Sequence, residues 1–409
     1  MTHAEHKRAL IARARRVVVK IGSGVLGGNG SRLDRERIEQ LVEEIAALHT
    51  AGREVVVVTS GAVAAGVARL GLAQRPRTIP HKQAASAVGQ IGVMSVYESA
   101  FAARGLHVAQ VLLTRDDLSN RRRYLNAKHA MMTLLEWRVV PIVNENDTVV
   151  VEEIKLGDND NLSALTATLV EADLLVVLSD VAGLYTADPR HAGDATLVPL
   201  VEAVTPSIEA MAGSSGPLGT GGMATKLGAA RQASASGIAT IIADGRRAGI
   251  IAAVMDPAVE VGTLFLPVAD RLASRKHWIA YTLKPGGTLV VDDGARAAVT
   301  AQGRSLLPSG LREVRGNFGL GACVQCVGLD GREFARGLVS YAAAELEKIK
   351  GRHSRDIEAL LGYKMGDEII HRDDLVMLTR DDGAAPAAGA ATGGGAGRAR
   401  KLDRDESPR

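Results

Sequence analysis

The sequence contains few cysteines and little net charge. Its 409 residues include only two cysteines, Cys323 and Cys326, and carry a formal net charge of +3. A charge so close to balance excludes a strong overall field that would attract nucleic acid or a membrane surface. The C-x-x-C spacing is typical of redox or zinc sites, but no further zinc ligands are evident nearby and residues 322–328 predict a strand, which would point the two thiols to opposite faces. We therefore interpret both cysteines as structural.

The sequence also lacks long apolar runs. The runs at 55–58 and 174–178 are far shorter than the roughly 20 apolar residues that cross a bilayer. Residues 1–16 lack the continuous apolar segment of a secretory signal. These features predict a cytoplasmic protein with no membrane partner.

The composition is that of a globular protein with a large core. Apolar residues make up 46% of the chain and charged residues 23%, and the length exceeds what one hydrophobic core usually organises, so we expect two domains. The terminal stretch is Ala/Gly-rich and then charged, and it cannot bury enough apolar area to become ordered. The predicted segments are an N-terminal extension (1–15), a first domain (16–266), a linker (267–284), a small β-rich second domain (285–375) and a disordered tail (382–409).

Strand-like and helix-like segments alternate through the first domain. The expected strands are 17–21, 55–58, 108–113, 139–143, 174–178 and 238–243, and the expected helices are 34–52, 120–137, 162–172 and 225–236. This alternation predicts an α/β fold with three layers, in which helices cover both faces of a mostly parallel sheet. Ligands of such sheets bind at the carboxyl ends of the strands. In the second domain, Asp330-Gly331 between two strand-like runs predicts a hairpin.

Two small motifs follow predicted strands near the N-terminus. Lys20-Ile-Gly-Ser-Gly24 places a lysine at a strand end before small residues whose amides can approach an anion, although it matches neither a P-loop nor a dinucleotide fingerprint. Thr59-Ser-Gly-Ala62 combines a hydroxyl, a glycine and a probable helix start, which suits a carboxylate or phosphate. Each motif alone is equally compatible with a structural turn.

Two carboxylate and amide clusters are more specific. Asn144-Glu-Asn-Asp147 follows a strand directly, and Gly157-Asp-Asn-Asp-Asn161 precedes a helix. Together they offer acceptors for an ammonium group or a metal and donors for a carboxylate, and capping or turn formation alone accounts poorly for both.

A glycine-rich loop with hydroxyls, Ser214 to Lys226, ends in a lysine where a helix begins. A phosphate needs close backbone approach, N–H donors, a positive helix end and a cation, and this loop supplies all four, although a flexible surface loop is the alternative. Phosphoryl transfer mainly requires positioning and charge neutralisation. Lys20 and Lys226 could meet that requirement, with Asp160 between them to orient both ammonium groups.

These segments, in this order, resemble the amino-acid kinase family, and within it the bacterial enzymes that phosphorylate glutamate. The resemblance runs from about residue 17 to residue 374 and is strongest in VTSGA (58–62), VNEND (143–147), IKLGDNDNLS (154–163), GLYTADPR (183–190) and GTGGMATK (219–226). It implies L-glutamate as the acceptor, ATP with Mg²⁺ as the donor, and an acyl phosphate product that is the first intermediate of proline biosynthesis. Feedback inhibition by proline is also implied, and we expect a homo-oligomer.

The resemblance further implies roles for individual residues. Lys20 and Lys226 would contact the phosphates and stabilise the transferring group, and Asp160 would organise the lysine pair. The residues implied to hold or organise glutamate are Ser60, Asp147, Asn159 and Asp158. The residues implied to bind ATP are Lys20, Ser179, Asp180, Thr220, Gly221, Gly222, Met223, Ala224, Thr225 and Lys226. No protein residue is assigned as a direct ligand of Mg²⁺.

Two departures from a simple kinase remain. Gly24 stands where similar enzymes carry a small hydroxyl residue, so position 24 is left out of the predicted site. The C-terminal block resembles a PUA domain, a fold that suggests RNA binding only by analogy. RNA binding is not expected, because acidic residues offset the arginines of this block and few aromatics accompany them.

Two alternative functions stay open. The first is another kinase of the same family, acting on aspartate, N-acetylglutamate or a nucleoside monophosphate. The second is an RNA-binding or regulatory protein whose kinase-like fold is inactive. Assays with different acceptors would distinguish the first alternative from a glutamate kinase. Loss of turnover in variants of Lys20 and Lys226 would exclude the second.

Overall fold

An eight-stranded sheet is the centre of the first structural unit. The computed structural model describes residues 2–27, 33–150, 159–212, 222–268 and 285–378. The strand order of this sheet is β3-β4-β2-β1-β5-β7-β8-β6, with all neighbours parallel except β7 and β8. Its strands are β1 (Arg16–Ile21), β2 (Glu54–Val58), β3 (Val108–Leu113), β4 (Val140–Glu145), β5 (Leu174–Ser179), β6 (Leu200–Val201), β7 (Ala239–Asp244) and β8 (Thr263–Phe265). The predicted α/β class is confirmed.

Helices cover both faces of this sheet. Side chains alternate along each strand, so Val17 and Val19 enter one apolar core while Val18 enters the other. Both faces being buried explains why these strands read as continuous valine and leucine runs. The helices are α1 (His3–Arg13), α2 (Ser23–Leu26), α3 (Arg35–Thr50), α4 (Ala62–Arg69), α5 (Ile79–Ala102), α6 (Arg115–Ser119), α7 (Arg121–Glu136), α8 (Asn159–Leu169), α9 (Pro206–Met211), α10 (Met223–Ala235) and α11 (Ile250–Met255).

Helix α3 shows why the sequence predicts its bounds well. The Asp34 side chain caps the helix by accepting a hydrogen bond from the Arg37 N–H at 2.9 Å. Gly52, two residues beyond the helix, has φ of +90°, a conformation that favours glycine. The predicted helix 34–52 is confirmed within two residues at each end.

Helix α5 is a long element that the sequence analysis did not assign. It runs from Ile79 to Ala102 and packs against α4 at a crossing without side chains between the backbones. A Cβ atom at Gly66 would lie 1.7 Å from the Ala85 carbonyl oxygen, and one at Gly89 would lie 1.8 Å from the Ala62 carbonyl oxygen. Glycine at both positions therefore allows direct contact between the two helix backbones.

The first 15 residues, predicted as an extension, contain α1. Lys7 on this helix is buried, and its Nζ donates to the carbonyl oxygens of Ala253, Asp256 and Val259. The ammonium group thus binds carbonyls of the last turn of α11 and of the segment that follows it. Helix α1 is attached to the first unit by this contact and by the buried Ile11.

A second, five-stranded sheet follows, with the order β10-β9-β11-β12-β13. Its strands are β9 (Gly287–Val291), β10 (Leu311–Arg315), β11 (Cys323–Val327), β12 (Glu333–Leu338) and β13 (Leu375–Met377), accompanied by α12 (Asp293–Gln302), α13 (Ala343–Ile349) and α14 (Ile357–Leu361). The predicted hairpin is confirmed, because β11 and β12 are antiparallel and Gly331 between them has φ of +72°. This unit is β-rich, as predicted.

The two cysteines lie on opposite faces of β11, as the strand prediction requires. Cys326 belongs to the main core of the second unit, whereas Cys323 packs with Leu338 and Val376 on the other face. Burial raises the pKa of the Cys326 thiol to about 12, so this thiol stays protonated and unreactive near neutral pH.

No helix in the described part of the chain is both long and apolar enough to cross a membrane. Asp158, Thr220 and Gly221, and the predicted tail 382–409, lie outside the described residues.

Candidate functional site

The carboxyl ends of four neighbouring parallel strands bring the predicted motifs together. The order β4-β2-β1-β5 places Asn144, Thr59, Lys20 and Ser179 along one edge of the sheet. Helices α8 and α10 lie against each other over this edge and add Asp160 and Lys226. Segments far apart in the chain therefore form one polar site, as the fold class predicts.

Asp160 lies between the two predicted lysines. Lys20 Nζ forms an ion pair with Asp160 Oδ1, and Lys226 Nζ lies 3.3 Å from Asp160 Oδ2. Thr225 Oγ1 donates to the same Oδ2 at 2.6 Å. Lys20, Asp160 and Lys226 are only 5%, 1% and 4% exposed. We call these three residues the lysine–aspartate cluster.

The electrostatics of the cluster favour an ionised Asp160. Burial alone would raise the pKa of this carboxyl, but attraction to Lys20 and Lys226, with hydrogen bonds from Lys20 and Thr225, outweighs burial and holds its pKa below the usual range. One carboxylate then faces two ammonium groups. The two ammonium groups, held away from water, suit an anion that binds beside the cluster.

A second group of side chains lies next to the cluster and forms a candidate acceptor site. Asn159 Nδ2 donates to the Thr59 carbonyl oxygen at 2.7 Å, to Ser60 Oγ at 3.0 Å and to Asn144 Oδ1 at 3.0 Å. The chain then turns at Gly61, with φ of +93°, and α4 begins one residue later. Ser60 and Asn159, both predicted to hold the acceptor, are thus in direct contact.

Asp147 lies in the turn after β4 and accepts a hydrogen bond from Ser86 Oγ. Burial raises the pKa of Asp147, and the bond from Ser86 offsets only part of this effect. Among the described contacts, Asp147 has no hydrogen bond with Ser60 or Asn159. A ligand bound between Asp147 and the pair Ser60 and Asn159 would contact both sides of the site.

One face of α5 carries four residues of this site that the sequence analysis missed. Gln83 Nε2 donates to the Val150 carbonyl oxygen at 3.1 Å, Ser86 donates to Asp147, and Gln90 Oε1 accepts from Asn144 Nδ2 at 2.8 Å. Tyr97 is fully buried, and its hydroxyl lies 3.0 Å from Thr59 Oγ1. Their steps of three, four and seven place these residues on one face of α5, a signal that can be used only once a helix is assigned to this segment.

Ser179 and Asp180 form the opposite side of the site, at the end of β5. Ser179 Oγ donates to Asp180 Oδ1 at 3.1 Å, and the backbone at Gly22 and Gly24 passes close by. A Cβ atom at Gly22 would lie 3.2 Å from the Leu178 carbonyl oxygen and one at Gly24 would lie 3.3 Å from Asp180 Cβ. Position 24 therefore faces Asp180 at van der Waals distance, and the absence of a side chain there leaves room beside that carboxylate.

Helix α10 points its N-terminus toward the same region. Gly222 precedes the helix and provides no side-chain cap, so the first N–H groups of α10 lack a capping partner of that kind. Thr225 and Lys226 lie in its first turn, where backbone N–H groups and the helix dipole favour a phosphate. Of the other residues predicted to bind ATP, Gly222 precedes α10 and Met223 and Ala224 begin it, whereas Thr220 and Gly221 are outside the described residues.

Within the described residues, no group of three or more His, Cys, Asp or Glu side chains is arranged to hold a metal ion. Asp160, which contacts both lysines, already uses both oxygens for Lys20, Lys226 and Thr225. The cluster therefore suits an anion better than a bare cation.

Comparisons with known proteins agree with this geometry. Residues 15–244 match the model of the Amino acid kinase family, and residues 287–361 match that of the PUA domain. The sequence is 55% identical over 373 residues to the glutamate 5-kinase of Pelobacter propionicus, covering 91% of this chain and 100% of the relative. It is 54% identical over 373 residues to the glutamate 5-kinase of Citrifermentans bemidjiense, with the same coverage.

One further sequence relative and one solved structure are also similar to the chain. The glutamate 5-kinase of Moorella thermoacetica is 52% identical over 379 residues, covering 92% of this chain and 100% of the relative. Among solved structures, the UMP kinase of Bacillus anthracis aligns with a TM-score of 0.42 and 17% identity, over 63% of this chain and 97% of that chain.

Proposed function

This chain belongs to the amino acid kinase family, and we propose on that basis that it transfers the γ-phosphoryl group of ATP to the side-chain carboxylate of L-glutamate. The products are L-glutamate 5-phosphate and ADP. The relatives that match over nearly the whole chain are named glutamate 5-kinase. The observation that carries the proposal is the lysine–aspartate cluster beside the acceptor site.

The chemistry asks little of the protein in proton transfer. An oxygen of the glutamate side chain attacks the γ-phosphorus, the bond between that phosphorus and the bridging oxygen breaks, and ADP leaves. A carboxylate is already ionised at neutral pH, so no general base is required. The protein must mainly hold donor and acceptor in line and neutralise the charge on the transferring group.

The lysine–aspartate cluster meets that electrostatic requirement. Lys20 and Lys226 contribute two ammonium groups on separate elements, and Asp160 holds both in position from a buried carboxylate. Because the cluster is shielded from water, each charge acts more strongly on the transferring group than it would in solvent. Fixed cations need no rearrangement as charge develops.

The acceptor and donor occupy different sides of the cluster in this proposal. Ser60, Asn159 and Asp147, with Asp158, hold glutamate, and the ionised Asp147 is suited to its ammonium group. ATP binds along Ser179 and Asp180 and the N-terminal turn of α10, through Gly222, Met223, Ala224, Thr225 and Lys226 and the preceding Thr220 and Gly221. Mg²⁺ would be held by phosphate oxygens and water and would add further charge neutralisation.

The choice of acceptor tests the proposal. ADP release is measured with L-glutamate, L-aspartate, N-acetylglutamate and UMP as acceptors, and we expect activity with L-glutamate. Activity with another acceptor and none with L-glutamate would refute the assignment.

Lys226→Ala tests the role of the cluster directly. It removes one of the two cations that face the transferring group, so we expect kcat to fall by about 10²–10³-fold, the range seen when one stabilising group is removed. Circular dichroism checks that the fold is retained. An Arg231→Ala variant, which removes an exposed cation from the same helix, serves as the control and should keep its turnover. Equal turnover in Lys226→Ala and wild type would contradict a catalytic role.

The proposed product places the enzyme at the first step of proline biosynthesis, so we further propose inhibition by L-proline and a homo-oligomeric state. Adding L-proline to the ADP-release assay tests the first, and light scattering of the purified protein tests the second. Unchanged activity at millimolar L-proline, or a monomer at assay concentration, would contradict the respective expectation.

RNA binding is not part of the proposal. Several arginines of the second unit pair with acidic neighbours: Arg312 lies 2.8 Å from Asp292, and Arg315 lies 2.8 Å from Glu313. Arg336 is likewise paired with Glu333. Paired arginines of this kind do not form the basic surface that phosphate backbones require.

A further inference from the structure

Three amide side chains form a hydrogen-bonded chain behind the acceptor site. Asn159 Nδ2 donates to Asn144 Oδ1 at 3.0 Å, and Asn144 Nδ2 donates to Gln90 Oε1 at 2.8 Å. Gln90 and Asn144 are 8% and 2% exposed, respectively. We call these three residues the amide chain. It connects α5, a helix outside the sheet, to a residue placed to contact the acceptor.

One backbone carbonyl fixes the direction of the whole amide chain. The Thr59 carbonyl can only accept, and it lies 2.7 Å from the amide nitrogen of Asn159. If the Asn159 amide were rotated by half a turn, two oxygens would face each other, so its nitrogen must point to Thr59 and Asn144. Asn144 must then present its oxygen to Asn159 and its nitrogen to Gln90. Gln90 must supply an oxygen.

The constraint leaves an unpaired donor at Gln90. Its Nε2 is buried and has no hydrogen-bond partner among the residues that the structure describes. A buried unpaired donor costs about 1–3 kcal/mol, and turning the Gln90 amide over would only set its nitrogen against that of Asn144. The protein keeps this orientation because Asn144 needs an acceptor, which points to a role for the amide chain beyond packing.

At the other end, the amide chain leaves Asn159 Oδ1 available as an acceptor. Its Nδ2 makes all the hydrogen bonds of this side chain in the described residues. Glutamate has a single donor group at neutral pH, its α-ammonium, because both carboxylates only accept. Asn159 Oδ1, a hydrogen-bond acceptor beside the proposed glutamate site, therefore suits the ammonium end of the substrate.

We propose that Gln90 is a positioning residue that, acting through Asn144, helps to hold Asn159 Oδ1 toward the α-ammonium of glutamate. This inference rests on the function proposed above. Without an acceptor at position 90, Asn144 is free to turn over, and Asn159 loses one of the three partners of its Nδ2, so its side chain is held less firmly beside Thr59 and Ser60. The enzyme then discriminates less between glutamate and a dicarboxylic acid that lacks the amino group.

Gln90→Met tests the proposal, because it keeps the side-chain volume and removes the acceptor. Glutarate, which is glutamate without its amino group, is measured as a competitive inhibitor. The ratio of the glutarate Ki to the glutamate KM reports recognition of the ammonium group. We expect this ratio to fall about tenfold, equivalent to about 1.4 kcal/mol, through a higher glutamate KM, with the ATP KM within twofold of wild type.

Two further variants separate positioning from general stability. Ser234→Ala removes a buried hydrogen bond to the Leu266 carbonyl oxygen, far along α10 from the cluster, and should lower the melting temperature without changing the ratio. Gln90→Glu keeps an oxygen facing Asn144 and should retain the ratio. If Gln90→Met fails to fold, Gln90→Glu provides the test. A folded Gln90→Glu enzyme whose ratio of glutarate Ki to glutamate KM falls tenfold overturns the proposal.

The outcomes distinguish this inference from the function on which it rests. A wild-type enzyme that does not phosphorylate glutamate overturns the proposed function. A wild-type enzyme that is active, together with a Gln90→Met variant whose ratio stays within twofold of it, overturns the role of Gln90 alone. A tenfold loss in Gln90→Met with retention in Gln90→Glu supports the positioning role.

Discussion

Asp160, which is buried, and Asp147, which is half-buried, have opposite electrostatic environments. Asp160 is surrounded by cations and its pKa is lowered despite burial, whereas Asp147 has only the Ser86 hydroxyl and its pKa is raised by burial. The stabilising effect of Asp160 is therefore present above the pKa of an unfolded aspartate, about 3.9, and is lost as pH falls through its lower folded pKa. For Asp147 the sign is reversed: stability is lost as pH rises from about 3.9 through its raised folded pKa.

The Asp147→Asn variant tests the predicted effect of Asp147 on stability. The amide cannot ionise, so it avoids the loss of stability that Asp147 undergoes as pH rises, and we expect the variant to melt at a higher temperature than wild type at pH 7. The gain should shrink toward pH 4, and the glutamate KM should rise because an acceptor-site charge is lost. Differential scanning calorimetry at several pH values measures the first effect and ADP release the second.

Glu98→Gln is the matched control for that experiment, because it neutralises an exposed carboxylate on α5. It should leave the melting temperature nearly unchanged at every pH. A lower melting temperature of Asp147→Asn at pH 7 would show that ionised Asp147 is stabilising, contrary to the environment described here.

At the scale of elements, the crossing of α4 and α5 holds the acceptor site in shape. Gly61 and α4 follow Ser60 directly, while α5 carries Ser86 and Gln90 toward the other side of the site. The two helices touch through their backbones at Gly66 and Gly89. The distance between these parts of the site is thus set by backbone contact, with no adjustable side chain between them.

Two glycine variants on α5 test this crossing. In Gly89→Ala the new methyl would lie 1.8 Å from the Ala62 carbonyl oxygen, so the helices must separate, and we expect a loss of about 1–3 kcal/mol with a higher glutamate KM. In Gly92→Ala no atom lies within 4 Å of the new methyl, so helix propensity alone should add about 0.5–1 kcal/mol. Guanidinium unfolding measures both, and equal effects in the two variants would contradict the role of the crossing.

The sequence predicts the elements that have a strong local signal. Continuous valine runs give β1 and β2, and Asp34 and Gly52 mark the ends of α3. Helix α5 has no apolar stripe, because apolar and small residues surround it on all sides, so periodicity does not identify it.

The residues of the candidate site also differ in whether the sequence predicts them. The lysines, Asp160 and the two carboxylate and amide clusters are recognisable from local motifs. Gln90, Ser86 and Tyr97 acquire their roles only when α5 packs across the sheet edge, and that packing depends on contacts such as Gly89 with Ala62, which no local pattern encodes.

At the scale of the whole molecule, the two sheets have separate cores. The apolar clusters of the first unit end at Phe265 and those of the second begin at Leu289, with no shared residue. The described residues of the lysine–aspartate cluster and of the acceptor site all belong to the first unit. The proposed chemistry therefore needs no side chain from the second.

Removing residues 285–409 tests this independence. We expect the remaining chain to fold, because its cores are intact, and to phosphorylate glutamate with kcat within a few-fold of the full chain. Circular dichroism and ADP release measure the two properties. An insoluble product would show that the second unit protects a surface of the first, and a folded but inactive product would show that it contributes to the site.

The buried ammonium of Lys7 has a practical consequence for anyone preparing this protein. The sequence predicts only an extension over residues 1–15, and trimming such a segment is a common step in making crystals or fusions. Removal of Lys7 would take away the ammonium group that donates to three backbone carbonyls at and beyond the end of α11, and the loss of these hydrogen bonds favours unfolding. Affinity tags are better placed ahead of an intact α1 than in exchange for it.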